Sequence, residues 1–341
     1  RDRIQALRQR NLITYRHQGE ELRIWQGSDF NVEAAIFARL EQERSPIADL
    51  FSQTYPLKPI VPQRHYSTTG TLRYFAARYG DSRLDLSQLT CPSDTDDGLV
   101  VYWLDRASLD TVPATTADGK PLIVIEIAQL DVLVTRAREL LVLRQIWKTA
   151  PELQTDGVAR REVKQRLAEA EQLLDETVRQ GFAWHQSGNR CWLAGALTPI
   201  AQARQFQTAL SDLCDRVYGQ TPILDNELIN RRVLTSQGAK ARRELIEAML
   251  ACADQPRLGL TGYGPEVAMY ESVLRATGIH RQAGEQWGFY APAPTSGIFS
   301  LWQAIADFCL AAKTEQANLG DLYQQLAQPP YGIKPGMIPV V

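Results

Sequence analysis

The sequence has no cysteine pair at CxxC spacing, no signal peptide, and no apolar run near the ~18 residues a membrane-spanning helix needs. Its five cysteines, Cys91, Cys191, Cys214, Cys252 and Cys309, are scattered and odd in number, which argues against a disulfide framework. Reduced thiols in a cytoplasmic protein are the expectation. A basic excess is missing too: 37 Lys and Arg against 39 Asp and Glu leave a formal net charge of -2, so any nucleic-acid contact has to be local. There is no GxxxxGK[ST] loop. The glycine pairs Gly262-Tyr263-Gly264 and Gly332 to Gly336 lack the lysine that would wrap a phosphate chain, which argues against nucleotide hydrolysis by this chain alone. No GxSxG elbow is present, and His17, His65, His185 and His280 have no His or Cys partner at zinc-ligand spacing. Structural or surface roles are the default for all four.

What is present is an ordinary composition, 44% hydrophobic and 22% charged, over a length of 341 residues that suffices for two or three compact units. At the start, Ile4, Leu7 and Leu12 share one side of a short helix while Arg1, Arg3, Arg8 and Arg10 lie mostly elsewhere. Strands Leu12 to His17 and Glu21 to Gln26, turning at Gln18-Gly19-Glu20, follow as a wing. Ser28 or Asp29 then caps a helix over about 31 to 43. Helix, wing and helix together predict a partial winged helix over 1–45, with its earlier helices upstream. With the apolar ending Met337 to Val341, the sequence predicts a piece cut at both ends.

Residues 46–130 are expected to be a Pro-broken linker, with Pro46, Pro56, Pro59 and Pro62, plus a small α/β unit. Its strands are Thr71 to Tyr79, mixed and more exposed, Gly98 to Leu104, and Pro121 to Ile127, whose Leu122-Ile123-Val124-Ile125 fits burial on both faces. Over 131–220 the pattern predicts a helical hairpin arm projecting into solvent. Its helices run from Asp131 to Thr149 and from Asp156 to Gln180, and a β-hairpin pairing Phe182 to His185 with Arg190 to Leu193 follows. Residues 221–341 read as a helical domain with segments near 225–231, 236–253, 264–277, 298–313 and 319–327. The predicted class is α+β, mostly helical.

Two constellations bear on chemistry. A metal-dependent nuclease of the PD-(D/E)xK type needs a carboxylate on one strand and Glu-x-Lys on the next, and Asp96 or Asp97 with Glu126 has roughly that layout. Ala128, however, stands where the lysine belongs, and Asp96-Asp97-Gly98 also reads as a plain turn. Arginines are the second: Arg3, Arg8, Arg10, Arg16 and Arg23 gather on the first helix and wing, and Arg231, Arg232, Lys240, Arg242 and Arg243 form another group. Arginine forks suit phosphate oxygens and would give salt-sensitive DNA contact. The same residues equally fit solvated faces or pairing with Glu20, Glu21, Glu41 and Glu244.

Three stretches stand together: Leu12-Ile13-Thr14-Tyr15 through Trp25-Gln26-Gly27-Ser28-Asp29-Phe30, then Gly70-Thr71-Leu72-Arg73-Tyr74-Phe75, and Pro329-Pro330-Tyr331-Gly332-Ile333-Lys334-Pro335-Gly336. They resemble the region downstream of the nucleotide-binding core in large bacterial P-loop ATPases of the AAA+ or STAND type, including those of BREX-like phage-defence systems. That resemblance implies a non-catalytic scaffold with an upstream ATPase domain and protein partners, and DNA is the partner expected of the winged-helix arginines. ATP and Mg2+ would be cofactors of the parent protein and not of this stretch. The competing expectation is a stand-alone nuclease using Asp97 and Glu126.

Overall fold

A computed structural model of the chain describes residues 30–341 apart from Ser187, Asp225, Arg232 and Glu315, together with the strand segments 13–16 and 21–24. The fold is α+β, about 48% helical, with eleven helices and a five-stranded mixed sheet among the described residues. Strands β1 (Ile13–Arg16) and β2 (Glu21–Ile24) pair antiparallel as a hairpin. The helix expected over Arg1 to Arg10 lies outside the described residues. Helix α1 (Val32–Gln42) follows, and its cap is Asn31, downstream of both Ser28 and Asp29: the Asn31 carboxamide accepts from Ala34 N at 3.0 Å.

The Pro-rich stretch is folded and is not a linker. Pro46 and Pro62 stand at the N-caps of α2 (Ile47–Thr54) and α3 (Gln63–Thr69), where a missing N–H costs nothing. Leu50 and Phe51 of α2 are fully buried against the sheet. There, β3 (Phe75–Gly80), β4 (Gly98–Trp103) and β5 (Leu122–Glu126) run parallel in that order. Strand β5 is buried along its whole length, as its apolar run requires. A Cβ at Gly98 would sit 2.5 Å from Cδ1 of Phe75, so only glycine lets β4 start beside β3.

Helices α4 (Asp131–Thr149), α5 (Glu152–Thr155) and α6 (Gly157–Gly181) come next. The long pair α4 and α6 does not project into solvent. α4 carries apolar residues on two sides. Leu133, Leu140 and Leu143 join the sheet core, while Val142 and Ile146 pack with Val32, Ala159 and Val163. Only the Arg160, Arg161 and Lys164 side of α6 stays exposed.

The expected hairpin is also re-paired. Strand β6 (Arg190–Leu193) runs antiparallel to β5 and turns into β7 (Ala196–Thr198), not back from Phe182 to His185. Ala194 and Gly195 both take positive φ, the two-residue turn that suits the twist of a hairpin. Phe182 and Trp184 instead lie in a turn, stacked on Tyr102 and on Phe206 of α7 (Ala203–Val217).

A second core, including Leu224, Ile229, Leu245, Tyr270, Leu274 and Leu301, gathers the C-terminal elements. They are α8 (Ser236–Ala251), α9 (Pro265–Met269) continued by a π-helical turn Tyr270–Arg275, and α10 (Phe299–Ala311) with α11 (Leu319–Ala327). The helix expected near 225–231 does not form. A hairpin of β8 (His280–Ala283) and β9 (Gln286–Phe289), not foreseen, holds His280 against Trp287. Met337 and Val340 are buried in this core, so the apolar ending has an internal reason.

Candidate functional site

The densest buried charge lies where the N-terminal ends of β3 and β4 meet the 329–336 loop. Arg73, just ahead of β3, is completely buried. Its Nη1 donates to Asp97 Oδ1 at 2.7 Å and to Gly332 O at 3.0 Å, and Nη2 donates to Thr221 Oγ1 at 2.7 Å. Below the guanidinium, 3.7 Å away, lies the ring of Tyr218. On the other carboxylate oxygen of Asp97, Oδ2, Lys334 Nζ closes at 2.5 Å and Tyr74 N at 2.8 Å. Gly332 has φ +56, and a Cβ there would sit 2.6 Å from Arg73 Nη1, so glycine is what lets the loop come this close. Lys120, also buried, holds the turn before β4 by donating to Asp94 O at 2.9 Å.

His65 of α3 extends the network. Arg73 Nε can only donate, so the Nε2 of His65, 3.2 Å away, accepts. Nδ1 therefore carries the proton and donates to Asp215 Oδ1 at 2.7 Å. Burial pulls the imidazole below its ordinary value, against the opposing effect of the Asp215 bond. Burial raises Asp97, but Lys334 and Arg73 beside it outweigh that and hold the carboxyl below its usual range. An Asp–His pair can act as a general base only if the far nitrogen is open. Here Arg73 occupies it, and both oxygens of Asp97 are engaged. The arrangement is a clasp between two parts of the chain, with its acids and bases turned on one another.

Glu126 belongs to a different place. Its Oε1 accepts from Arg190 Nη2 at 2.7 Å and from Trp192 Nε1 at 2.6 Å, and its Oε2 accepts from Leu109 N at 3.0 Å. Glu126 pairs with Trp103 at the far end of β4, whereas Asp97 precedes that strand's first residue, so the carboxylates stand roughly 20 Å apart along the sheet. They do not share a metal site, and Asp96 is a turn residue that accepts from Ser93 N. Among the described residues no group of three or more His, Cys, Asp and Glu side chains is placed to hold a metal ion.

The basic residues fall into three groups. Arg3, Arg8, Arg10 and Arg232 lie outside the described residues. On the β1–β2 hairpin, Arg16 is opposite Glu21 and Arg23 opposite Thr14, their side chains again outside the described residues. Arg242 of α8 reaches the carbonyl of Pro335 at 3.1 Å and ties down the 329–336 loop. Arg243 is exposed beside Glu247, Arg231 beside Glu227, and Lys240 beside Glu244.

Arg73, His65 and Lys334 were not expected here. The available signal was that 70–75 and 329–336 each carry a single cation, Arg73 and Lys334, and that the Asp96-Asp97 pair precedes a buried strand. No family model, curated protein or solved structure matches the chain.

Proposed function

We propose that this chain is a non-catalytic scaffold and interaction module of a large multidomain P-loop ATPase, of the kind found in phage-defence systems. It would work in the cytoplasm beside an upstream ATPase domain that supplies ATP and Mg2+ chemistry. The carrying observation is the Arg73–Asp97–Lys334 clasp. The most chemistry-like cluster in the body spends its buried charges on fixing two cores together, which suits a relay and not a reaction centre. Stretches 70–75 and 329–336, two of the three that carry the resemblance, meet at this clasp. Among the described residues no helix is long and apolar enough to cross a membrane.

A protein partner is supported by α10 and α11. Of the thirteen residues of α10, only Leu301 and Ala304 are buried, while Leu310, Leu319 and Tyr323 are exposed. Trp302, Ile305 and Phe308 of α10 pack against the C-terminal core, so the apolar residues offered to a partner are Leu310, Leu319 and Tyr323. DNA contact is proposed through the wing arginines Arg16 and Arg23 together with Arg3, Arg8 and Arg10, and through Arg243 on α8.

The test has two arms. The purified chain is assayed for ATP hydrolysis and Mg2+-dependent plasmid cleavage, and its reading frame is inspected for a P-loop encoded upstream of Arg1. The proposal expects neither activity, an upstream P-loop, and co-elution with that ATPase region that is lost on Leu310→Asp with Leu319→Asp. Turnover by the chain itself, or a frame without a P-loop, would sink it.

A further inference from the structure

Beside β6 and β7, between the Phe182–Trp184 turn and the 199–201 loop, lies a cavity of about 630 Å3. That volume lies inside the ~300–1,000 Å3 typical of ligand pockets. Its floor is Ile125 and Cys191, both nearly inaccessible. Burial pushes the Cys191 thiol up to about 12, so the floor stays neutral and apolar. The aromatic wall is braced from behind: Trp184 stacks on Phe206 at 4.5 Å and Phe182 on Tyr102 at 5.1 Å. Neither ring is free to swing in and fill the space.

Two lining side chains bring hydrogen-bond donors to this apolar chamber. Arg190 spends Nε and Nη2 on Glu126 and on Leu109 O, while its Nη1 has no hydrogen-bond partner among the described residues. Gln205 spends Oε1 on Ala201 N at 2.8 Å, and its Nε2 has no partner among the described residues. An occupant that satisfies both surfaces needs a flat apolar body for the aromatic wall and an acceptor for the two donors. Glu126 takes the Nε and Nη2 side of Arg190, which leaves the Nη1 edge of the guanidinium to favour a single anionic acceptor. We propose that this cavity binds a small molecule made of an aromatic ring system carrying one acceptor, a carboxylate or sulfonate.

The test titrates the full chain with 1-anilinonaphthalene-8-sulfonate, an aromatic body with a single sulfonate, and follows dye fluorescence together with quenching of protein tryptophan. Ala201→Trp, at an exposed lining position, fills the mouth. Gln205→Met, also exposed, removes the Nε2 donor at similar size, together with the Oε1 acceptor that Ala201 N uses. Saturable single-site binding is expected, weakened about tenfold by Ala201→Trp and about fivefold by Gln205→Met, the loss of one hydrogen bond. Leu310→Asp with Leu319→Asp, on the distant α10–α11 face, is expected to leave it unchanged. Non-saturable binding overturns the proposal. So does binding indifferent to both cavity variants while their thermal unfolding matches the parent, or binding abolished by the α10–α11 variant.

Discussion

Lys334 donates to the carboxylate of Asp97 at 2.5 Å across 237 residues of sequence, in a place where both side chains are almost fully buried. Arg73 takes the other oxygen of the same carboxylate. One anion thus holds two cations, one ahead of β3 and one from the loop that ends the C-terminal core. Two buried cations cannot lose their shared anion cheaply, since each would be left as an uncompensated charge.

Asp97→Asn is therefore expected to destabilise the chain by about 3–5 kcal/mol. Lys334→Met is expected to cost less, because Arg73 keeps its partner. Urea unfolding of the variants measures both, and a loss under about 1 kcal/mol for Asp97→Asn would show that the clasp carries little of the stability.

Acid is expected to loosen the clasp in two stages. Burial lowers the folded-state pKa of His65, so below about pH 6.5 the unfolded chain binds a proton that the folded chain refuses. Stability from this group is complete above that pH and declines as pH falls towards the folded-state value. The Asp97 contribution is complete above the unfolded carboxylate value of about 3.9 and is lost as pH falls through its lower folded value. Urea midpoints measured from pH 7.5 downward are expected to fall first near pH 6.5. In His65→Gln that first decline should flatten, and an unchanged slope would contradict the assignment.

Glu126→Ala is expected to cost about 3 kcal/mol by stranding Arg190 and the Trp192 indole, with no consequence for DNA cleavage. A plasmid assay with Mg2+ and circular-dichroism melting separate the two effects. Cleavage by the parent that disappears in this variant would restore the nuclease alternative.

For DNA, affinity is expected to fall steeply with salt, with a log–log slope of about -0.9 for each phosphate contact. Arg8→Ala with Arg10→Ala should lower that slope. Arg243→Ala should weaken binding without changing stability. Arg242→Ala should instead cost about 1 kcal/mol of stability, because its guanidinium ties the 329–336 loop. Fluorescence anisotropy at several salt concentrations reads the slopes, and salt-independent binding would refute phosphate contact.

Features set by neighbours along the chain were legible in the sequence. The run Leu122 to Ile125 announces a strand buried on both faces, and Asp131, Pro151 and Asp156 mark the ends of α4 and α6 to within a residue. What escaped was set by distant neighbours. Arg73 reads as a solvent-side residue of a mixed strand, and only the approach of Gly332, 259 residues on, makes it a buried anchor. Trp184 and Phe182 look like strand residues because aromatics favour strands, yet their stacking partners are on β4 and α7. The true hairpin turn needs positive φ at Ala194, which alanine does not advertise. Among the acidic candidates Asp97 and Glu126 stood out, but that parallel register puts them at opposite ends of the strands is something no local pattern gives.

The most direct measurement is native-state amide hydrogen exchange on the parent chain and on Asp97→Asn. If the clasp makes one cooperative body, amides of β4 in the sheet core and of α10 in the C-terminal core open with the same free energy in the parent. In Asp97→Asn they should separate, with α10 opening first. Separate opening already in the parent, or coincident opening in the variant, would contradict the claim that Asp97 joins the two cores.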